Sequence, residues 1–332
     1  MLSDPRITIG MPVYNGAEYV GGAIHSLLSQ TERDFFLLIS DDCSDDETPS
    51  ICESFAARDF RIRFVRQRHH VGMTGNFNFV LDEATSPFFM WAAQDDLWAP
   101  EFLEVTLDLL LRDPSTVAAT TAVIASGGIR LTTERISEQM ADEDPVIRAR
   151  SVNPHGYHAI YALFRRELLV STEVRLQDVP APDVAFVFGV ALHGRIVSSE
   201  EALSTKRYIG YEAILAPDGR VVWEKALGPD GWLYARGGWA RTHLCRAMLR
   251  HTYSAPITLA GKAGLSGHIF SLWLSFIHQN LIFQTGRLPV VNAWGRRRYL
   301  KGSLLALGGA LLRPQKAFRE ARTILKGILG RC

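Results

Sequence analysis

The chain has 332 residues, 47% of them hydrophobic and 21% charged. That length and composition exclude a disordered or low-complexity protein and leave room for one large domain with an appendage, or two medium ones. The net charge of +1 hides an asymmetry: 16 of 36 Lys and Arg but one of 35 acids lie after Gly231, leaving 20 bases and 34 acids before it. The first six residues run straight into an apolar, β-branched stretch over 7–13, which predicts a strand and no signal peptide. Further strands are predicted over 35–40, 62–65, 87–93 and 116–125. Helices are predicted after Asn15-Gly16 to about Gln30, from Thr48-Pro49 with Thr48 as the cap, over 74–84, and over 100–112. Strand and helix in alternation predict an α/β fold with a mostly parallel sheet flanked by helices, in which ligands bind beyond the carboxyl ends of the strands. Residues 127–145 read as a loop, 155–170 and 183–193 as helices, 195–199 as a strand, and Asp218-Gly219 as a hairpin turn. Beyond residue 231 acids nearly vanish and long apolar stretches begin. The expected division is therefore 1–231, with halves at about 1–125 and 126–231, followed by a helical, basic region over 232–332.

The residues that carry chemistry stand where that fold puts ligands. The second strand ends in Asp41-Asp42-Cys43-Ser44-Asp45-Asp46-Glu47, and the fourth in Gln94-Asp95-Asp96. Carboxylates directly after a buried strand are costly unless solvated or paired with a cation. Two acidic clusters at one sheet edge invite Mg²⁺ or Mn²⁺, which take oxygen ligands and bridge substrate phosphates. Asp45, Asp46 and Glu47 also read as caps of the following helix. Gly72 and Gly75 open the helix that holds Asn76, and glycine there lets backbone amides approach a phosphate. The four cysteines, Cys43, Cys52, Cys245 and Cys332, show no metal-ligand spacing, which fits a reducing compartment.

The stretch Ile7-Thr-Ile-Gly-Met-Pro-Val-Tyr-Asn-Gly, with Ser26-Leu-Leu-Ser-Gln-Thr, Ile39-Ser-Asp-Asp-Cys-Ser-Asp-Asp and Gln94-Asp-Asp, resembles the family 2 glycosyltransferases of the GT-A fold, over roughly residues 5–210. The resemblance implies transfer, with inversion, of a sugar from a nucleotide-diphosphate sugar to a glycan or polyprenyl-linked acceptor in bacterial surface-polysaccharide synthesis. It puts Pro12, Tyr14 and Asp42 around the nucleotide, Asp95 at the ribose or in the metal shell, and Asp96 on Mn²⁺ or Mg²⁺. Gln94 departs from the family's Asp-X-Asp pattern at its first position. Asp183, at the start of an apolar helix, stands where the family has its general base, with Asp178 as the fallback. His155 and His158 are candidates for the acceptor pocket, and Lys206 and Arg207 for the diphosphate.

Residues 314–329 form an amphipathic pattern: Ala317, Phe318, Ala321, Ile324, Leu325, Ile328 and Leu329 fall on one face, and Lys316, Arg319, Arg322 and Lys326 on the other. With Arg296-Arg297-Arg298 this predicts an anionic membrane surface as partner, and peripheral attachment to the cytoplasmic face of the cell membrane. The apolar faces beside those charges suit lipid better than nucleic acid. The uncharged stretch 263–286 is long enough to span a bilayer, but His268, His278, Gln279, Asn280 and Gln284 favour a buried or interfacial helix. Two rival readings are a nucleotidyltransferase and a non-catalytic, membrane-associated sugar-nucleotide-binding protein. The first needs a basic loop after the first strand, where Tyr14-Asn-Gly-Ala-Glu-Tyr has no Lys or Arg; the second leaves the acids at 42, 95, 96 and 183 unexplained.

Overall fold

The computed structural model describes residues 5–127, 130–152, 156–179, 181–207, 211–215, 221–225 and 238–285. The parallel half is built from β1 (Ile7–Val13), β2 (Phe35–Asp41), β3 (Ile62–Arg66) and β4 (Phe88–Trp91). Between them run α1 (Val20–Leu28), α2 (Thr48–Ala56) and α3 (Gly72–Asp82). β1 lies between β2 and β4, with β3 outside β2, all parallel. Every side chain of β1 and β4 is buried, as in a parallel strand covered on both faces.

Alternation along these strands separates two cores. Ile7, Ile9, Met11, Leu37 and Ile39 pack on one face with α1 and α4 (Phe102–Arg112). Leu38, Phe89 and Trp91 pack on the other with α3 and α7 (Pro182–His193). On that second face Gly10 lets α3 approach: a β-carbon there would lie 2.6 Å from Val80 Cγ2.

Beyond β4 the sheet turns mixed. The order continues β4, β8 (Leu163–Arg165), β6 (Thr116–Gly127), β9 (Arg195–Arg207), β5 (Leu97–Trp98), and β7 (Arg130–Glu134) pairs with β6. β8 runs antiparallel to both neighbours, whereas β6 and β9 are parallel. Two expectations are corrected here. Residues 155–170 are not one helix: from 156 onward they are a 3₁₀ turn (Gly156–Tyr161), β8, and α6 (Arg166–Ser171). The apolar run Leu163-Phe164 is short and reaches a gap in the sheet, and tertiary pairing overrides its helical period. Residues 127–145 are not simply a loop, since they hold β7 and a 3₁₀ turn (Glu138–Ala141). The cap of α2 is also corrected: Glu47 occupies the N-cap position, and the Thr48 hydroxyl instead accepts the Gly16 N–H at 2.8 Å.

β10 (Tyr211–Leu215) and β11 (Val221–Lys225) pair antiparallel around the expected hairpin, whose turn, Asp218-Gly219, lies outside the described residues. α5 (Pro145–Ser151), α8 (Gly238–Ser254) and α9 (Leu259–Thr285) follow the same core. Leu244, Met248 and Leu249 of α8 and Leu265, Ile269 and Trp273 of α9 share one apolar cluster with α7. Among the described residues no helix is long and apolar enough to cross a membrane. His155, the 296–298 arginines and the 314–329 pattern lie outside the described residues.

Candidate active site

Three loops at the carboxyl ends of β1, β2 and β4 are stitched to one another. The Tyr14 N–H donates to Gln94 Oε1 at 2.8 Å, and Gln94 Nε2 donates back to the Tyr14 carbonyl at 3.0 Å. Gln94 thus clamps the loop after β4 to the loop after β1. Gly16 makes room for the clamp, since a β-carbon there would lie 2.5 Å from Gln94 Cδ. Asp46 takes the Ala17 and Thr48 N–H groups, and Asn15 Oδ1 takes the Asp45 N–H. Gln94 therefore holds the frame that presents the two aspartates after it.

Asp42 is buried and faces the next loop. Its Oδ1 accepts the Val71 N–H at 2.6 Å, and His70 Nδ1 lies 3.0 Å from its Oδ2. Tyr14, about half exposed, tilts against the His70 ring at 4.9 Å. Pro12 lies inside β1 in register with Ser40. Gly72 has φ +77°, a left-handed conformation, with open space beside it. Asn76 is buried, and its amide is taken up inside the fold: Oδ1 accepts from Ser40 Oγ at 2.6 Å and Nδ2 donates to the Ser40 carbonyl at 2.8 Å. It ties α3 to β2.

The second half of the site arrives through β9. β5, immediately after Asp95 and Asp96, pairs with the end of β9, with Leu97 opposite Thr205. This register lays Lys206 and Arg207 against the two acids, and the Arg207 N–H donates to Asp96 Oδ1 at 3.0 Å. Asp96 is only 5% exposed. Burial first, and then its neighbour Asp95, push its carboxyl up to about 7, while Lys206 and Arg207 pull the other way. Burial raises Asp95 as well. A buried carboxylate beside a half-buried one, with incomplete compensation, forms a site that favours added positive charge.

Asp183 occupies the second position of α7 behind Pro182, with Ala181 as N-cap in a left-handed conformation, so it is not the cap itself. Its Oδ1 accepts the Val184 N–H at 2.9 Å. Burial raises its carboxyl, and Lys206 lowers it. The same ammonium therefore acts on Asp95, Asp96 and Asp183, which places the carboxylates of both halves in one electrostatic neighbourhood. α7 holds that position because Ala185 to Leu192 are buried all round. The segment leading to it is pinned by Asn78, whose amide exchanges two hydrogen bonds with the Leu176 backbone, at 2.9 and 3.2 Å. Asp178 is exposed on the approach to α7.

Tyr161 is the residue that sequence reasoning missed. It lies under Lys206, whose Nζ stands 5.0 Å from the ring centroid, and its hydroxyl is raised well above 10 by burial and by Asp96, Asp95 and Asp183. Its place in a stretch read as a plain helix concealed it. His158 is 3% exposed, its Nε2 is paired with Glu134 Oε2, and it lines a small, partly open space beside Asp96 and Lys206.

Residues 8–171 match the family described as Glycosyl transferase family 2. The UDP-Glc:alpha-D-GlcNAc-diphosphoundecaprenol beta-1,3-glucosyltransferase WfgD of Escherichia coli is 30% identical over 112 residues, 34% of this chain and 44% of that protein. The chain thus spans less than half the length of the curated relatives it matches first. Among solved structures, TarS of S. aureus in complex with UDP-GlcNAc superposes with a TM-score of 0.60 at 16% identity, covering 92% of this chain and 80% of that one. The mannosyltransferase PcManGT from Pyrobaculum calidifontis, in complex with GDP-Man and Mn²⁺, gives a TM-score of 0.50 at 18% identity, over 92% and 81% of the two chains. These likenesses and the strand order agree on the architecture: through residues 8–171 the chain belongs to the family 2 glycosyltransferases, with a GT-A fold.

Proposed function

We propose that the chain transfers a sugar, with inversion, from a nucleotide-diphosphate sugar to a glycan or polyprenyl-diphosphate-linked acceptor. The observation that carries this reading is the convergence of Asp95, Asp96 and Asp183 around Lys206, from opposite halves of the fold. In it, Tyr14, Asp42 and His70 flank the nucleotide base, and the backbone at Gly72 approaches phosphate oxygens. Lys206 and Arg207 draw the diphosphate toward the acids by charge. Asp183 takes the proton from the acceptor hydroxyl as that oxygen attacks the anomeric carbon and the nucleoside diphosphate departs. The raised carboxyl of Asp183 suits a base, because a stronger base accepts a hydroxyl proton more readily.

The donor set fits a divalent cation shared with substrate. Among the described residues no group of three or more His, Cys, Asp or Glu is arranged around a metal, so the protein offers Asp95 and Asp96 and the diphosphate must complete the shell. Mg²⁺ and Mn²⁺ bind in this way, through one or two carboxylates and substrate phosphates. The Mn²⁺ in the PcManGT complex supports the same choice. When bound, such an ion neutralises charge developing on the departing phosphate. The relatives' lipid-diphosphate acceptors and the basic region after residue 231 support an acceptor at an anionic membrane surface. The test is Asp96→Asn beside wild type in EDTA: both should lose turnover, and full activity of either removes the metal from the reading.

A further inference from the structure

Beside Asp96 lies a small, partly open space of about 20 Å³, lined by Asp96, Thr120, His158, Tyr161, Ser204 and Lys206 among others. A volume of that order holds one water molecule, provided two to four polar groups surround it. Residues of that kind line it: an acid, a phenol, three aliphatic hydroxyls, an imidazole and an ammonium, beside Trp98 and Val123. We propose that this space is a single-water site, through which His158 and Tyr161 position Asp96 for its cation.

His158 is buried in the 3₁₀ turn that ends at Tyr161, and its Nε2 is held by Glu134 of β7. That pair fastens the turn to the hairpin formed by β6 and β7, whose register places Val123 opposite Glu134. The same turn fixes Tyr161 under the Lys206 ammonium. One Asp96 oxygen is fixed from the other side by the Arg207 N–H. A water in the space adds a hydrogen bond to the buried carboxylate without adding charge. Glu134, His158, Tyr161 and the water then stop Asp96 from rotating out of the direction in which Asp95 and the diphosphate meet a cation. Groups behind metal ligands commonly act in this way. Neither His158 nor Tyr161 touches substrate in this arrangement; both are positioning residues.

The inference rests on the reading of Asp96 as a cation ligand, and the experiment separates the two. Mn²⁺ is titrated calorimetrically into the full chain at saturating UDP, with no sugar donor or acceptor present. Wild type should bind Mn²⁺, and His158→Leu should bind it about 10- to 100-fold more weakly. His158→Gln, which keeps a polar group toward the space and toward Glu134, should recover most of that loss. The UDP affinity without metal should be the same in all three, a split that general loosening of the fold would not give. Tyr161→Phe keeps the ring under Lys206 and removes only the hydroxyl. It should weaken Mn²⁺ in the same direction, and it carries the test if His158→Leu fails to fold. Wild-type Mn²⁺ affinity in Tyr161→Phe and in every folded His158 variant overturns the positioning role. Absence of Mn²⁺ binding by wild type overturns the cation reading beneath it.

Discussion

Asp96 is buried and Asp183 half-buried, and their surroundings suit them to different work. Asp96 has a second acid beside it and a backbone N–H on one oxygen, an arrangement that attracts a cation. Asp183 has no acid among the groups that shift it, stands at the start of a helix, and feels one lysine. Its carboxylate is therefore able to gain a proton without competing with a neighbouring acid. Removing it should damage the chemical step and leave donor binding intact. Asp183→Asn is expected to lose on the order of 10² to 10⁴ in turnover, the usual worth of a general base. Its affinity for the nucleoside diphosphate, measured by calorimetry, should match wild type. If Asp183→Asn turns over normally and Asp178→Asn does not, the base lies on the preceding loop.

Helices and strands carry these acids by packing that reaches well beyond the site. α7 is held between the sheet and α8, and His251 of α8 is buried against Gly189 of α7. Its Nε2 lies 2.9 Å from Gln177 Nε2, on the segment that leads to Asp183. Burial first, then His193 and Arg250, hold the imidazole down at about 4, below its ordinary 6.5. The unfolded chain thus takes up this proton before the folded one. The stabilisation from neutral His251 is complete above pH 6.5 and is lost as pH falls toward 4. At ~1.4 kcal/mol per pKa unit the loss is about 3 kcal/mol. A melting curve followed from pH 7.5 to 4.5 should fall more steeply for wild type than for His251→Gln; parallel curves would remove His251 as the cause. The same elements mark what the sequence discloses. Strands β1, β2 and β4 are legible because a covered parallel strand is a short, mostly apolar run, and the acids after β2 and β4 stand at its end. β7 and β8 are illegible because short strands inside a mixed sheet take their form from neighbours distant in sequence. Tyr161 and the Gln94 clamp escape for the same reason: each matters through partners 45 to 80 residues away.

Across the whole molecule, charge and the site point in one direction. Acids outnumber bases 34 to 20 up to residue 231, and bases outnumber acids 16 to one after it, a split that suits a basic region on anionic lipid and an acidic part that takes a cation and a donor. Each Lys or Arg near such a surface contributes about 1 kcal/mol, fading within a Debye length, and apolar burial adds an amount that salt does not weaken. Sedimentation with vesicles should therefore favour anionic over neutral lipid, and salt should reduce binding without abolishing it. A chain lacking residues 314–332 should bind vesicles less and still act on a short soluble acceptor; equal binding by both chains would assign that segment to packing. If acids from both halves form one transfer site, nucleoside-diphosphate release depends on both of them. UDP-, GDP- and dTDP-sugars are offered with an undecaprenyl-diphosphate-linked sugar as acceptor, to wild type, Asp96→Asn and Asp183→Asn. Wild type should release the diphosphate from at least one donor only when acceptor is present, and both variants should be slower by on the order of 10² or more. Release by both variants at the wild-type rate, or none by wild type from any donor, would contradict the account.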